Sequence, residues 1–305
     1  ALTQGLAGDN LSAMAELTQA GCVGFSQAEA GVSHTQILQR AMQYAATYGY
    51  VLWMRAQDAF LGKGVAASGP IATRLGLSGV PVAAETIALH TLIDVMRSTG
   101  ARLHLCRLSS AAGVALVRQA KAEGLPVTAD VSIHQLHFTD NDVGYFDTRA
   151  RLNPPLRQSQ DRDALRAALA DGTIDVLVSD HTPVLGDAKD LPFAQAEPGA
   201  SALEMLLSAT LKWAEQSGVS RMRALQVVTC EPAKLLGESA EGLGRLDVGC
   251  PADVCVLDPS IQWQVAPSSL HSQSKHTPFA FAMSGSQMPG KVKATLVGGR
   301  VVYQA

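Results

Sequence analysis

The run Arg102-Leu103-His104-Leu105-Cys106-Arg107-Leu108 is followed by Ser109-Ser110, a helical stretch from Ala111 to Ala122, Gly124, and a second apolar run from Pro126 to Val131. Short, largely apolar runs of this kind are those of strands covered on both faces. Ser110 and Gly124 bracket the helix between them as start and stop signals. A strand, a helix and a strand in that order place two parallel strands in one sheet with a right-handed crossover. The same grammar repeats outward, with strands expected at Gly21 to Phe25, Tyr50 to Met54 and Asp175 to Ser179. Helices are expected at Asn10 to Ala20, Thr35 to Thr47, Ala84 to Ser98, Asp161 to Ala170, Ser201 to Glu215 and Ser220 to Leu236. Alternation of this type defines an α/β fold with a parallel sheet.

From Gly242 the pattern changes to Gly- and Pro-punctuated strands, Ala252 to Leu257 and Lys293 to Tyr303, separated by a polar stretch from Ser268 to His276. The Gly298-Gly299 pair inside the last run marks a hairpin turn. Two domains are therefore expected, a partial (β/α) barrel over residues 1–241 and C-terminal strands of a small β unit over 242–305. Two or three strands cannot bury a face alone, so this unit needs a partner surface.

The chain of 305 residues is 47% hydrophobic and 17% charged, which suits a globular α/β protein with a large core. A net charge of -3 offers no basic stripe for a phosphate backbone, which argues against nucleic-acid binding. No apolar run approaches a membrane span, and Ala1-Leu2-Thr3-Gln4 has no signal-peptide character, so a cytoplasmic location is expected. Cys22, Cys106, Cys230, Cys250 and Cys255 form no C-x-x-C pair and are expected as buried, reduced thiols.

Five segments together resemble dihydroorotase, of the amidohydrolase superfamily: Asn153-Pro154-Pro155-Leu156-Arg157, Ser179-Asp180-His181-Thr182-Pro183, Gly249-Cys250-Pro251-Ala252-Asp253-Val254, Lys275-His276-Thr277-Pro278-Phe279 and Val297-Gly298-Gly299-Arg300-Val301-Val302-Tyr303. The resemblance implies a metal-dependent (β/α)8 TIM barrel with a small β-sandwich. The five strands read here would be strands four to eight of that pattern. The first three strands and the opening half of the sandwich are then expected outside this sequence, or replaced by another chain, because an open barrel exposes two edges.

Active members of the family hold zinc, which suits neutral imidazole and carboxylate ligands and activates a bound water. Carried over by position, the resemblance puts the strand-four acidic or modified-lysine ligand on Gln27, the strand-five histidine on Met54, the strand-six histidine on Arg107 and the strand-eight aspartate on Asp180. A further histidine of relatives falls on Val184, and the His-x-His pair is not in this chain. An amide oxygen and a thioether are poor zinc ligands, and a guanidinium has no lone pair to donate. No metal or other cofactor is therefore expected. Asp180 is the expected remnant of the catalytic base and Asn153 of a substrate contact; an Arg107–Asp180 ion pair is expected to replace the metal.

Three other arrangements compete locally. Glu29 would serve as a ligand if the alignment slipped by two residues. His104 should point away from the site, being three residues from Arg107 along a strand. His134 and His137 have a spacing that permits a metal pair on a loop, though solvated or hydrogen-bonded histidines are the plainer reading. Ser109-Ser110 reads as a helix cap rather than a nucleophile, since no G-x-S-x-G elbow is present.

The resemblance thus points to a pseudoenzyme of pyrimidine biosynthesis, a non-catalytic subunit in a hetero-oligomer. Its implied partner is aspartate carbamoyltransferase, whose assembly such homologues stabilise. The alternatives are an active zinc-dependent dihydroorotase, interconverting N-carbamoyl-L-aspartate and dihydroorotate, and a dihydropyrimidinase-like scaffold protein.

Overall fold

The computed structural model describes residues 1–31, 34–280 and 286–305. It divides into two compact units, one of residues 1–131, 139–141 and 154–174, the other of 132–138, 142–153 and 175–305.

The first unit runs through α1 (Met14–Gln19), β1 (Phe25–Ser26), α2 (Thr35–Tyr48) and β2 (Val51–Arg55) to a short pair, β3 (Ala66–Ala67) and β4 (Gly79–Val80), around α3 (Pro70–Leu75). It continues with α4 (Ala83–Thr99), β5 (Arg102–Cys106), α5 (Ala111–Ala122) and β6 (Val127–Ser132). After α6 (Ile133–His137), which belongs to the second unit, α7 (Ser159–Asp171) completes the first. Strands β1, β2, β5 and β6 lie side by side in that order, all parallel. The register pairs Trp53 with His104, Arg55 with Cys106, and His104 with Thr128.

Alternation along these strands decides what each face carries. Leu52, Met54, Leu103 and Leu105 are buried on one face, while Trp53, Arg55, His104 and Cys106 take the other. α2 packs on β2, α4 on α2 and α5, and α7 on α5, so the helices bring their own buried stripes, such as Leu38, Met42 and Ala45 on α2. α4 ends at Gly100, whose φ of 71° is the left-handed conformation that a C-terminal cap takes.

The second unit contains α6, β7 (Val176–Val178), α8 (Gly186–Lys189), α9 (Leu206–Ser217), α10 (Arg221–Gln226), α11 (Cys230–Leu236) and an antiparallel sheet of β8 (Val254–Gln264), β9 (Gln287–Val297) and β10 (Arg300–Gln304). The sheet order is β10-β9-β8, with the turn between the last two strands at Gly298-Gly299. α9 packs against β9, and Ser208 Oγ donates to Gly290 O at 3.0 Å while accepting from Trp263 Nε1 at 3.1 Å. A helix thus supplies the cover that a three-stranded sheet lacks by itself.

Several expectations need correction. The helix expected over Ser220 to Leu236 is two helices, because Pro232 has no N–H to give and clashes with a continuing turn, so it sits in the opening turn of α11. The opening helix is confined to Met14–Gln19. β8 extends well past Leu257, crossing Pro259 through a register shift between Asp258 and Gln262. All five cysteines are unbridged, but Cys106, Cys230 and Cys250 are only partly buried, and Cys22 and Cys255 are exposed. No described helix is long and apolar enough to cross a membrane.

Candidate functional site

The carboxyl ends of β1, β2 and β5 bring the charged residues of the first unit together. Arg55, the last residue of β2, donates through Nη1 to Glu29 Oε2, and Arg107, just past β5, donates through Nη2 to Glu29 Oε1. Arg55 also donates from Nη2 to Gln57 Oε1 at 2.5 Å, and Gln57 Nε2 is held by Gly62 O at 3.0 Å. The cations are sheltered and the anion is open: the side chains of Arg55 and Arg107 are 6% and 19% exposed, that of Glu29 51%. A cavity of about 180 Å3 adjoins Arg55, lined among others by Gln27, Leu38, Met54, Asp58 and Leu92.

Backbone geometry explains how Arg107 reaches this cluster. Simple alternation would send it to the leucine face of β5, but its φ is +56°, which reverses the side-chain direction. Its N–H donates to Asp130 Oδ1 at 2.7 Å, which holds the turn. Ala28 (φ +50°) and Asp180 (φ +51°) are strained in the same way. All three follow strand ends, and left-handed non-glycine residues cost about 1–3 kcal/mol each, a burden that clusters at functional sites.

The same reversal corrects two expectations. His104 lies on the face that carries Arg55 and Cys106, not away from it: His104 Nε2 meets Asp130 Oδ2 at 2.9 Å, His104 Nδ1 meets Thr128 Oγ1 at 2.9 Å, and its ring tilts against Trp53 at 4.9 Å. Arg55, not Met54, is the β2 residue that stands beside Arg107, because Met54 points to the opposite, buried face. The residue of β2 that joins Arg107 at Glu29 is therefore a second guanidinium, Arg55, with Met54 buried on the other face.

The remaining positions fall out as follows. Gln27 is buried and turned toward Thr3: its Oε1 accepts from Thr3 N at 3.2 Å and Thr3 Oγ1 at 2.9 Å, and its Nε2 lies 2.7 Å from that hydroxyl. Glu29 is engaged by the two arginines. His134 and His137 lie on α6 rather than on a loop. His134 is buried against Phe279, with Nδ1 3.0 Å from Ser132 Oγ and no hydrogen-bond partner at Nε2. Burial pushes its pKa down to about 3, with the charge of Lys189 adding to the effect. His137 Nε2 is 2.9 Å from Ala209 O. Ser110 caps α5 by accepting from Gly113 N at 3.0 Å.

In the second unit, Asp180 is half-buried two residues beyond β7, and the following His181 accepts at Nδ1 from Ala202 N at 3.0 Å and Leu203 N at 3.1 Å. Asn153 is half-buried in a loop strapped by Lys189, whose Nζ donates to Thr148 O at 3.0 Å and Arg151 O at 3.1 Å. Burial first, then the neighbouring Arg151 charge, lowers the Lys189 amine to about 8. Sequence reading missed Lys189, because nothing local distinguishes it from a solvated surface lysine.

Two groups of side chains lie close enough together to be weighed against a metal ion's needs. Among the described residues, His104, Cys106 and Asp130 place a nitrogen, a sulfur and an oxygen within 4.8 Å of one another. Both imidazole nitrogens and both carboxylate oxygens there already hold hydrogen bonds, and burial together with the Asp130 charge pushes the Cys106 thiol up, away from the thiolate a metal needs. At the strand ends, Arg55 and Arg107 cannot donate an electron pair and Gln27 spends its amide on Thr3. These residues do not fit a zinc ion.

Parallel strands followed by helices, with an antiparallel sheet after them, are the arrangement of the amidohydrolase fold; residues 76–303 match the amidohydrolase family and residues 1–112 the family described as dihydro-orotase-like. The chain is 39% identical over 305 residues to the dihydroorotase of Geobacter sp. (strain M21) and 38% identical to that of Citrifermentans bemidjiense. Each alignment takes in all of this chain and 70% of the relative. Among solved structures, the L-hydantoinase (dihydropyrimidinase) from Arthrobacter aurescens superimposes with a TM-score of 0.82 at 26% identity, covering 95% of this chain and 67% of that one. The D-hydantoinase from Thermus sp. gives 0.82 at 21% identity over 95% of this chain and 66% of that one, a likeness of fold. The chain belongs to the dihydroorotase family.

Proposed function

We propose that this chain is a non-catalytic member of the dihydroorotase family, a structural subunit rather than a turnover enzyme. The observation that carries the reading is the Arg55–Glu29–Arg107 cluster at the strand ends. A cation at the expected strand-six ligand position, Arg107, with a second guanidinium, Arg55, beside it repels a divalent ion, at several kcal/mol by Coulomb's law. Asp180 is then a remnant of the family base and Asn153 a remnant of a substrate contact, both kept where relatives need them without a metal to act with. The partner that the resemblance suggests is aspartate carbamoyltransferase, in a cytoplasmic hetero-oligomer.

A second reading has its own support. The curated relatives at 38–39% identity over the whole chain are named dihydroorotase, which favours an active enzyme. The dihydroorotase assay on full-length protein, alone and with aspartate carbamoyltransferase, with and without added zinc, decides between them. Background turnover throughout, well under one zinc per chain and co-purification with aspartate carbamoyltransferase are expected. Zinc-dependent turnover would establish the second reading.

A further inference from the structure

The loop after β2 sets one carboxylate oxygen beside a cavity and leaves it without a protein partner. Asp58 holds this loop with the rest of its polar atoms. Its N–H donates to Ala84 O at 2.7 Å and its carbonyl accepts from Gly62 N at 3.0 Å. Its Oδ1 accepts from Phe60 N at 3.0 Å and Leu61 N at 2.8 Å. Among the described residues nothing donates to Oδ2. An anionic oxygen fixed in place through its twin is a preorganised acceptor for a charge-assisted hydrogen bond.

Asp58 lines the cavity of about 180 Å3, whose apolar wall comes from Leu38 of α2, Met54 of β2 and Ile87, Ala88 and Leu92 of α4. A cavity of about 150 Å3 with aliphatic walls already takes a benzene ring, so this one has room for a single six-membered ring with a small substituent. The other polar side chains of the lining are spent or face solvent. Gln27 is bonded to Thr3, Gln57 to Arg55 and Gly62 O, and the Thr91 hydroxyl to Ile87 O at 3.0 Å, while Thr35 is exposed. Charge narrows the ligand further. Arg55 lines the same cavity and Lys63 Nζ stands 5.3 Å from the ring of Phe60, another lining residue, which disfavours an ammonium. The Asp58 carboxylate disfavours an anion. A neutral donor on an apolar ring satisfies both.

We propose that this cavity binds a small neutral aromatic molecule carrying one hydroxyl, a phenol in its simplest form. The ring lies against Leu38, Met54 and Leu92, and the O–H donates to Asp58 Oδ2. The site uses no metal and no strand-end arginine as a ligand, so it stands whether or not the chain turns over dihydroorotate.

The test is calorimetric titration of the full chain with phenol, benzene, benzylammonium and benzoate, comparing the unaltered protein with Asp58→Asn and Ala88→Phe. Phenol should bind about tenfold more tightly than benzene or benzylammonium, since a hydrogen bond to a charged acceptor is worth about that factor, and benzoate should not bind. Asp58→Asn keeps an oxygen for the two loop N–H groups and turns the other acceptor into a donor, so phenol should fall to the level of benzene while benzene is unchanged. Ala88→Phe fills the cavity and should abolish binding of both rings. Equal affinity for phenol and benzene in the unaltered protein, benzylammonium or benzoate matching phenol, or a phenol preference that survives Asp58→Asn overturns the proposal. Retained benzene binding shows that the Asp58→Asn cavity is intact, so that variant decides the question even if Ala88→Phe does not fold.

Discussion

Two glutamates of the first unit each serve arginine-bearing networks at the β5 end, and they are built in opposite ways. Glu85 is 5% exposed and accepts four hydrogen bonds, from Ser109 N at 2.8 Å, Ser109 Oγ at 2.6 Å, Ser110 N at 3.1 Å and Ser110 Oγ at 2.5 Å. Arg157, also buried, reaches Ser109 Oγ at 2.8 Å and Val80 O at 3.3 Å. The fit is tight enough that a Cβ on Gly113 would sit 2.2 Å from Glu85 Oε1, so the first turn of α5 needs a glycine there. Glu29, by contrast, is half in solvent and pairs with the guanidiniums of Arg55 and Arg107, which are themselves anchored by Gln57 and Asp130. A carboxylate that terminates backbone and hydroxyl donors is part of the scaffold; one that caps two anchored cations from the solvent side can leave.

The contrast breaks most sharply at Glu85. Glu85→Ala strands two backbone N–H groups, two hydroxyls and the neighbouring buried Arg157, and should cost about 3–5 kcal/mol in denaturant unfolding. A loss below about 1 kcal/mol would mean that water replaces the carboxylate and that burial is not what distinguishes the two sites.

Next in size is the acid limb. His134 in the second unit titrates near 3 when folded and near 6.5 when unfolded. Between those values the unfolded chain binds the extra proton, so stability falls as pH drops below 6.5, by on the order of 3 kcal/mol at about pH 4. His134→Gln should flatten that limb in pH-dependent melting; an unchanged limb would place the acid sensitivity elsewhere.

The smallest effect belongs to Glu29. Glu29→Ala should cost about 1–2 kcal/mol, since the carboxylate is half-exposed while the two guanidiniums it pairs with are sheltered. Thermal unfolding measures it, and a larger loss would make Glu29 structural and remove the contrast with Glu85.

Much of this was legible from residues alone where the signal is local. The strand-helix-strand unit around Arg102 to Val131, the Ser110 cap and the Gly298-Gly299 turn follow from patterns that repeat within a few positions. The β3–β4 pair and α3 were not legible, because two-residue strands leave no periodicity to read. The site was half legible. The resemblance singled out Gln27, Met54 and Arg107, but neither the arrival of Arg55 at Glu29 nor the turn of His104 toward Asp130 has a local signal.

What the sequence determined by itself is chemical: an arginine after β5 cannot ligate a metal in any fold, and short apolar runs separated by helical segments point to a parallel sheet. What only the tertiary structure decided is direction. A positive φ at Arg107, held by Asp130 from the neighbouring strand, turns a guanidinium across the sheet onto Glu29, and Arg55 arrives there from β2 because the parallel register sets it level with Cys106. Neither contact has a local signature, since each depends on residues more than twenty positions apart meeting at one strand end.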